Sequence, residues 1–451
     1  MNMKIRRNLT LLAIAALAWS APSTAQICGC AGSPDSLGDF DSLDPATWPP
    51  GSTQDSATLT IPLPDDGVLI FDSALFGDLP GVAAPFARIF RFETSGTARR
   101  NVPVTLLVAG DVTLTQSATI NLNGENGARG DSGVTRSTGG APGPGGSRGG
   151  DGAYQIADPD LNEAGGFGFG AGGGSAGDPA AGGDGDGIGG VFVASADLLP
   201  LIGGSGGGGG NSRDTLVSCG GGGGGGGGGA LLLAANGTVS LTGSIRANGG
   251  AGGSNGGQLC SSAGGGGSGG AIRILADTIE QVTTTANITA TGGTASPAGQ
   301  ASFGSDGIVR LEAFTNNFPP NETDPIAFIV GAPGTLVSPI NQRVGITSVA
   351  GETLSVRNNL PLDDSPQGAF GEVDVVLLAP GSIAINVATA GIPAGTSVEV
   401  VAKARRGGNL ISAIAPLVAG NCDATGACQA ATSLDLAAGQ YVLEARATFQ
   451  P

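Results

Sequence analysis

A strand-turn phrase recurs in this chain, and glycine tracts fill the space between its copies. It reads Val104-Thr-Leu-Leu-Val-Ala-Gly-Asp-Val-Thr-Leu, then Ala230-Leu-Leu-Leu-Ala-Ala-Asn-Gly-Thr-Val-Ser-Leu, then Ala271-Ile-Arg-Ile-Leu-Ala-Asp-Thr-Ile-Glu-Gln-Val. Each copy runs on into a second phrase: Ala118-Thr-Ile-Asn-Leu-Asn-Gly, Gly243-Ser-Ile-Arg-Ala-Asn-Gly-Gly and Ala286-Asn-Ile-Thr-Ala-Thr-Gly-Gly. Short β-patterned phrases that restart at turn glycines bury their apolar edges only by stacking one on the next. The pattern predicts an all-β protein built on a parallel β-helix-like solenoid with Gly-rich excursions. It constrains shape far more than chemistry.

Along the chain, residues 1–25 read as a signal peptide and 26–56 as a polar, Pro-rich, irregular lead-in. Residues 57–315 form the Gly-rich β-solenoid, with alternating runs such as Thr58 to Ile61, Val68 to Phe71 and Ile89 to Phe92. Its glycine excursion spans 123 to about 229 and ends in the unbroken run Gly220 to Gly229, and Gly307 to Phe314 reads as a last strand. An Asn- and Pro-rich linker, 316–325, leads to residues 326–451. There, runs such as Arg343 to Val349, Ser397 to Ala404 and Tyr441 to Phe449, separated by turn signals, predict a C-terminal β-sandwich.

The glycine tracts admit two readings. Glycine loses the most entropy on ordering, which favours flexible loops. Its missing Cβ also permits extended backbones to pack closely, as in a polyproline-II-like layer. Each tract adjoins a repeat start, which favours partial order against the solenoid. Collagen is excluded, because the period of three after Gly127 fails at Arg136.

The N-terminus indicates export. Lys4, Arg6 and Arg7 precede an apolar run from Leu9 to Ala18, and small residues Ser23 and Ala25 flank a cleavage point before Gln26. No membrane span is expected, since one needs roughly 20 apolar residues. The six cysteines fall into neighbourhoods that read as disulfides in an exported chain: Cys422 with Cys428, Cys219 with Cys260, and Cys28 with Cys30.

Composition narrows function. The chain carries 20 basic and 37 acidic residues, a net charge of −17, which disfavours nucleic acid as a partner. It contains no histidine, which removes Ser-His-Asp and Cys-His catalysis and most catalytic zinc sites. Catalytic residues are not expected. Asp158, Asp160, Asp184 and Asp186 are acids within the glycine-rich stretch, with nothing in the sequence to fix their separation. Gly182-Gly-Asp-Gly-Asp-Gly-Ile-Gly makes Asp184 and Asp186 weak Ca²⁺ candidates, and no other cofactor is expected. Arg129-Gly-Asp131 matches an adhesion tripeptide of the kind that a Gly-rich acidic chain produces by chance. Thr113-Leu-Thr115 and Thr283-Thr-Thr285 would suggest ice binding only if threonines stacked in flat ladders over many coils.

The succession Leu63-Pro-Asp-Asp-Gly-Val-Leu, Pro103-Val-Thr-Leu-Leu-Val-Ala-Gly-Asp-Val, polyglycine followed by Ala-Leu-Leu-Leu-Ala-Ala, and Gly-Gly-Ala-Ile-Arg-Ile-Leu-Ala resembles a group of uncharacterised secreted glycine-rich bacterial proteins. Their C-terminal parts are similar to Pro393-Ala-Gly-Thr-Ser-Val followed by a closing strand. The resemblance implies a bacterial, extracellular or cell-surface setting and transfers no catalytic residue. The expectation is an exported structural or adhesive protein whose partner is a cell-surface or matrix polysaccharide or protein. The alternative is a polysaccharide-binding module, or a carboxylate-based polysaccharide-degrading enzyme, on the same β-helix.

Overall fold

The structure, a computed structural model, describes residues 26–64, 66–82, 87–94, 102–130, 137–153, 164–177, 186–212, 220–255, 262–282, 287–294, 303–334, 336, 343–350, 352–353, 373–404, 410–423 and 427–447. It is almost entirely β; the helical elements among the described residues are single 3-10 turns such as Pro45–Thr47. The signal segment, 1–25, lies outside the described residues.

Two sheets make up the N-terminal body. Their strands are β1 (Asp39–Asp41), β2 (Thr53–Asp55), β3 (Thr58–Leu63), β4 (Val68–Phe71), β5 (Ser73–Phe76), β6 (Arg88–Thr94), β7 (Val104–Val108), β8 (Val112–Leu114), β9 (Ala118–Asn121), β10 (Ala230–Ala235), β11 (Thr238–Leu241), β12 (Ser244–Arg246), β13 (Ala271–Gln281), β14 (Asn287–Thr289), β15 (Ile308–Asn317), β16 (Thr323–Asp324) and β17 (Phe328–Val330). The ten-stranded sheet contains the order β1-β5-β8-β11-β13-β10-β7-β4, with β15 beside β13 and β17 beside β15; the seven-stranded sheet runs β16-β14-β12-β9-β6-β3-β2. All pairings are parallel except β2 with β3. Val104, Ala230 and Ala271, which open the three copies of the sequence phrase, begin strands that pair in register: Leu231 opposes both Val104 and Ile272. The expected lead-in thus contributes β1 and β2, and segment 316–325 carries the end of β15 and all of β16.

Alternation decides which side chains turn inward. Leu106, Leu231, Leu233, Ile272, Ile274, Val309 and Leu311 line one core between the sheets. At one end Phe40, Phe71, Phe76 and Phe90 close it, with ring centroids 5.0 Å apart for Phe40–Phe76 and 5.1 Å for Phe76–Phe90. The other faces of β10 and β13 are also covered: Leu232, Ala234 and Leu275 pack under Leu198 and Leu201. Burial on both faces explains why Ala230-Leu-Leu-Leu-Ala-Ala is apolar throughout rather than alternating.

The described glycine tracts are ordered. Segment 220–229 is enclosed by other chain segments, and its hydrogen-bond direction repeats every third residue. Gly222, Gly225 and Gly228 donate to Ser262, Gly265 and Ser268, whereas Gly223, Gly226 and Gly229 donate to Ala128, Glu125 and Leu122. Gly221, Gly224 and Gly227 donate to Ala153, Gly150 and Ser147. Its carbonyls accept with the same period from segments 137–145, 203–212 and 247–255. Three residues per turn is the periodicity of the polyproline-II helix, here bonded laterally on every side instead of to water. Side chains are excluded because the next backbone occupies each direction. A Cβ on Gly223, Gly224 or Gly225 would be driven into the carbonyl oxygens of Thr138, Gly207 and Gly250 respectively. Segment 122–130 borders the bundle, so only Gly124, Gly127 and Gly130 meet that obstruction, from Gly226, Gly223 and Gly220. This is the physical origin of the short period of three in the sequence.

The C-terminal strands are β18 (Arg343–Val349), β19 (Glu352–Thr353), β20 (Val373–Leu377), β21 (Gly381–Ala390), β22 (Ser397–Ala404), β23 (Ile411–Pro416), β24 (Cys428–Leu436) and β25 (Gly439–Ala447). They form two four-stranded antiparallel sheets, β19-β18-β21-β24 and β20-β25-β22-β23. Ile385 and Val387 from one sheet and Val398, Val400 and Leu443 from the other share a single core.

Candidate functional site

Three polar arrangements stand out, two buried and one facing solvent. The first lies where the C-terminal sheets meet the glycine bundle. Lys403 on β22 and Glu444 on β25 face each other because Val401 pairs with Glu444 and Lys403 with Val442. Lys403 Nζ lies 2.8 Å from Glu444 Oε2, and Arg446 Nε lies 2.9 Å from Glu444 Oε1. Both cations reach across: Lys403 Nζ donates to the Gly168 carbonyl at 2.7 Å and Arg446 Nη2 to the Gly170 carbonyl at 2.9 Å. Phe169 sits between, with the Arg148 guanidinium 4.3 Å and Lys403 Nζ 5.0 Å from its ring centroid. Burial alone would raise the Glu444 carboxyl, but the charges and hydrogen bonds of Lys403 and Arg446 outweigh it and hold it at about 2. The recess beside them has room for about one water molecule, far too little for a small-molecule ligand. Its chemistry is that of a clamp.

The second arrangement is on the outer side of the ten-stranded sheet. Glu312 is fully buried and accepts from Arg273 Nε at 2.7 Å, Arg310 Nε at 2.7 Å and the Gly334 N–H at 2.6 Å. Burial pushes its carboxyl up, while the hydrogen bonds from Arg273, Arg310 and Gly334 pull it down further, so the net shift is downward. Arg273 stands in register with Leu232, a charge set among apolar neighbours and neutralised by its partner two residues further along the adjoining strand.

The third is the outer face of the seven-stranded sheet. Parallel register stacks like positions into rows that run across the strands. One row is Thr58, Ile89, Thr119, Ser244, Asn287. The next is Thr60, Arg91, Asn121, Arg246, Thr289, Asp324, where Asn121 follows Arg91 by one-residue extension of the Phe90–Ile120 pairing. Beyond the strands the rows continue over the glycine bundle as side-chain ladders. Asn123 Oδ1 accepts from the Asn248 N–H at 2.8 Å, Asn248 Oδ1 from the Thr291 N–H at 2.9 Å, and Asn126 Oδ1 from the Ala251 N–H at 2.8 Å. Arg91 and Arg246 are exposed on this face.

Of the residues singled out in the sequence, those described do not gather at one place. Cys422 and Cys428 lie at disulfide-bonding distance with Cα atoms 3.9 Å apart, and Cys28 and Cys30 with Cα atoms 5.1 Å apart. Cys219, Cys260, Asp158, Asp160 and Asp184 lie outside the described residues. Asp186 is buried and its Oδ1 accepts from the Ala263 N–H at 2.8 Å. Among the described residues no three Cys, Asp or Glu side chains gather to hold a metal ion, and no helix is long and apolar enough to cross a membrane. Lys403, Glu444, Arg273 and Glu312 were not anticipated. The signal for Arg273 was present, since an arginine inside Ala271-Ile-Arg-Ile-Leu-Ala demands a buried counter-charge.

Comparison with family models, curated proteins and solved structures finds no match to this chain.

Proposed function

We propose that this is an exported structural or adhesive protein of a bacterial surface or extracellular matrix, which holds a flat contact face on a rigid support. The observation that carries the proposal is the laterally hydrogen-bonded glycine bundle. A segment in which Gly221 to Gly229 donate to neighbouring backbone and the carbonyls of Gly222 to Gly229 accept from it has little freedom to close on a substrate, and is suited to bear load. On this reading the stacked parallel strands are successive coils of a β-solenoid, and the two C-terminal sheets are a β-sandwich clamped to its glycine side by Lys403 and Arg446. Cysteine pairs at bonding distance fit an oxidising exterior, as does the leader-like run Leu9 to Ala18. The absence of histidine from the sequence favours this role over imidazole-based catalysis.

The test is fractionation of the producing cells, with an antibody against the C-terminal sheets and successive washes in salt, chelator and detergent. Protein that stays with the envelope or matrix through salt supports the proposal. Protein free in the medium rejects it, and release by chelator alone transfers the retaining role to Ca²⁺.

A further inference from the structure

Among the described residues of this −17 chain, two arginines without a carboxylate partner stand in one row of one sheet face. In the N-terminal body Arg88, Arg148, Arg273 and Arg310 are each matched by a carboxylate: Asp78, Asp151, Glu312, and Asp197 with Glu312. Among the described residues Arg91 and Arg246 have no such partner, and both are exposed, which is unexpected where acids outnumber bases by 37 to 20. Both stand on the outer face of the seven-stranded sheet, with Asn121 between them. Strands lie about 4.8 Å apart, so the two backbones carrying these guanidinium groups are roughly 10 Å apart. Around them are the side chains of Thr60, Thr119 and Ser244, with the exposed carboxylates of Glu93, two residues from Arg91 on β6, and Asp324, two strands beyond Arg246, towards the edges of the rows.

We infer that this face binds a carboxylate-bearing polysaccharide lying across the strands, with Arg91 and Arg246 each taking a carboxylate of the chain. The inference rests on the adhesive reading and names the partner of its contact face. Two features select this partner. A guanidinium presents a planar fork that matches a carboxylate in two parallel hydrogen bonds. On one side of an extended polyuronate the carboxylates recur every second sugar, over about the span of the two strand steps between Arg91 and Arg246. The periodic hydroxyl and amide rows match a polymer whose hydroxyls also repeat. Duplex nucleic acid is disfavoured, since its affinity is built from many phosphate contacts and two cations supply too few.

The experiment measures retention of the mature chain on immobilised polygalacturonate, neutral dextran and DNA. Wild type, Arg91→Ala/Arg246→Ala, Arg91→Lys/Arg246→Lys and, as a control on the other sheet, Glu280→Gln are compared. Far-ultraviolet circular dichroism verifies that each variant is folded. Expected are retention on polygalacturonate that weakens with salt, passage through dextran, at least a tenfold loss of affinity in the alanine pair, a smaller loss in the lysine pair, and no change in Glu280→Gln. Equal retention of wild type and the alanine pair overturns the inference. So does retention on dextran equal to that on polygalacturonate, or stronger retention on DNA. Dimers in light scattering that vanish in the alanine pair would make a second copy the occupant, and also overturn it. Wild type that ignores polygalacturonate yet stays on the envelope removes this inference alone; wild type free in the medium removes the adhesive reading beneath it.

Discussion

Glu444 holds Lys403 at 2.8 Å in a site where neither side chain meets solvent, and the same lysine hydrogen-bonds the Gly168 carbonyl in the glycine bundle. One ion pair therefore joins a fold with abundant side-chain packing to one with almost none. Its geometry turns acid stability into a readout of the junction. The folded carboxyl sits at about 2, below the ordinary value of 4.5, so its contribution is complete above about 4.5. That contribution is lost as pH falls from about 4.5 towards 2. Melting temperature is expected to change little between pH 7 and 5 and to drop steeply below 4.5. Glu444→Gln should lower stability at pH 7 by about 3–5 kcal/mol, because Lys403 is left buried without its counter-charge. It should also flatten the acid limb. Calorimetry of both proteins across pH 2–7 checks this, and parallel curves for the two proteins would show that another carboxylate governs the limb.

The interior glycines carry an equally sharp expectation. A Cβ on Gly226 would enter the Ala141 carbonyl, and backbone held on all sides cannot move aside. Gly226→Ala is expected to cost about 3 kcal/mol or more, the upper range for overpacking. Gly345→Ala, where nothing lies within 4 Å, should be near neutral. Thermal denaturation of the pair decides whether the lattice is a packed core or a loose coil; equal melting temperatures would favour the coil.

Much of the fold is legible in the sequence alone. The copies beginning at Val104, Ala230 and Ala271 pair in register as their likeness implies, and Val68 to Phe71 and Ser397 to Ala404 coincide with β4 and β22. Local pattern is a sufficient signal there, because each phrase meets a near copy of itself. The state of the glycines was not legible. Entropy and close packing pull in opposite directions, and which wins depends on partners such as Ala128, Gly150 and Ser262, distant in sequence from Gly222 to Gly224. The short strands Asp39–Asp41 and Thr323–Asp324 were hidden for a similar reason. Two or three residues among Asp, Asn and Pro have no β pattern of their own, and pairing with β5 and β14 fixes them. Arg91 and Arg246 read individually as ordinary surface charges; only parallel register puts them in one row.

Arg273 and Glu312 test whether a buried pair stabilises or merely avoids a penalty. Arg273→Leu alone leaves Glu312 with one of its two guanidinium partners, both at 2.7 Å, and is expected to cost about 1.5–3 kcal/mol, the range for a hydrogen bond to a charged group. Arg273→Leu/Glu312→Leu extends the apolar row of Leu232 and leaves Arg310 with Asp197 at 3.2 Å. The double variant should be less destabilised than either single one. A double-mutant cycle by urea denaturation measures the difference, and strict additivity would show that the two side chains act independently.

Hydrogen exchange reports on the glycine bundle without altering it. In a flexible glycine tract, amides exchange at the rate of an unstructured chain. Here Gly222 to Gly229 each donate to a named carbonyl, and their own carbonyls are taken by segments from several parts of the chain. Opening one such amide requires separating segments on more than one side, so its protection should approach that of global unfolding. Segments 203–210, 220–229 and 264–270 are therefore expected to exchange as slowly as the core strand Ala230–Ala235. Segment 122–130, at the border of the bundle, should exchange earlier. The order follows from position in the lattice and not from glycine content, since 220–229 has the higher glycine fraction and, by propensity alone, would exchange first. Mass-spectrometric exchange on proteolytic fragments distinguishes the two orders, and early exchange across 220–229 would remove the rigid support on which the adhesive role depends.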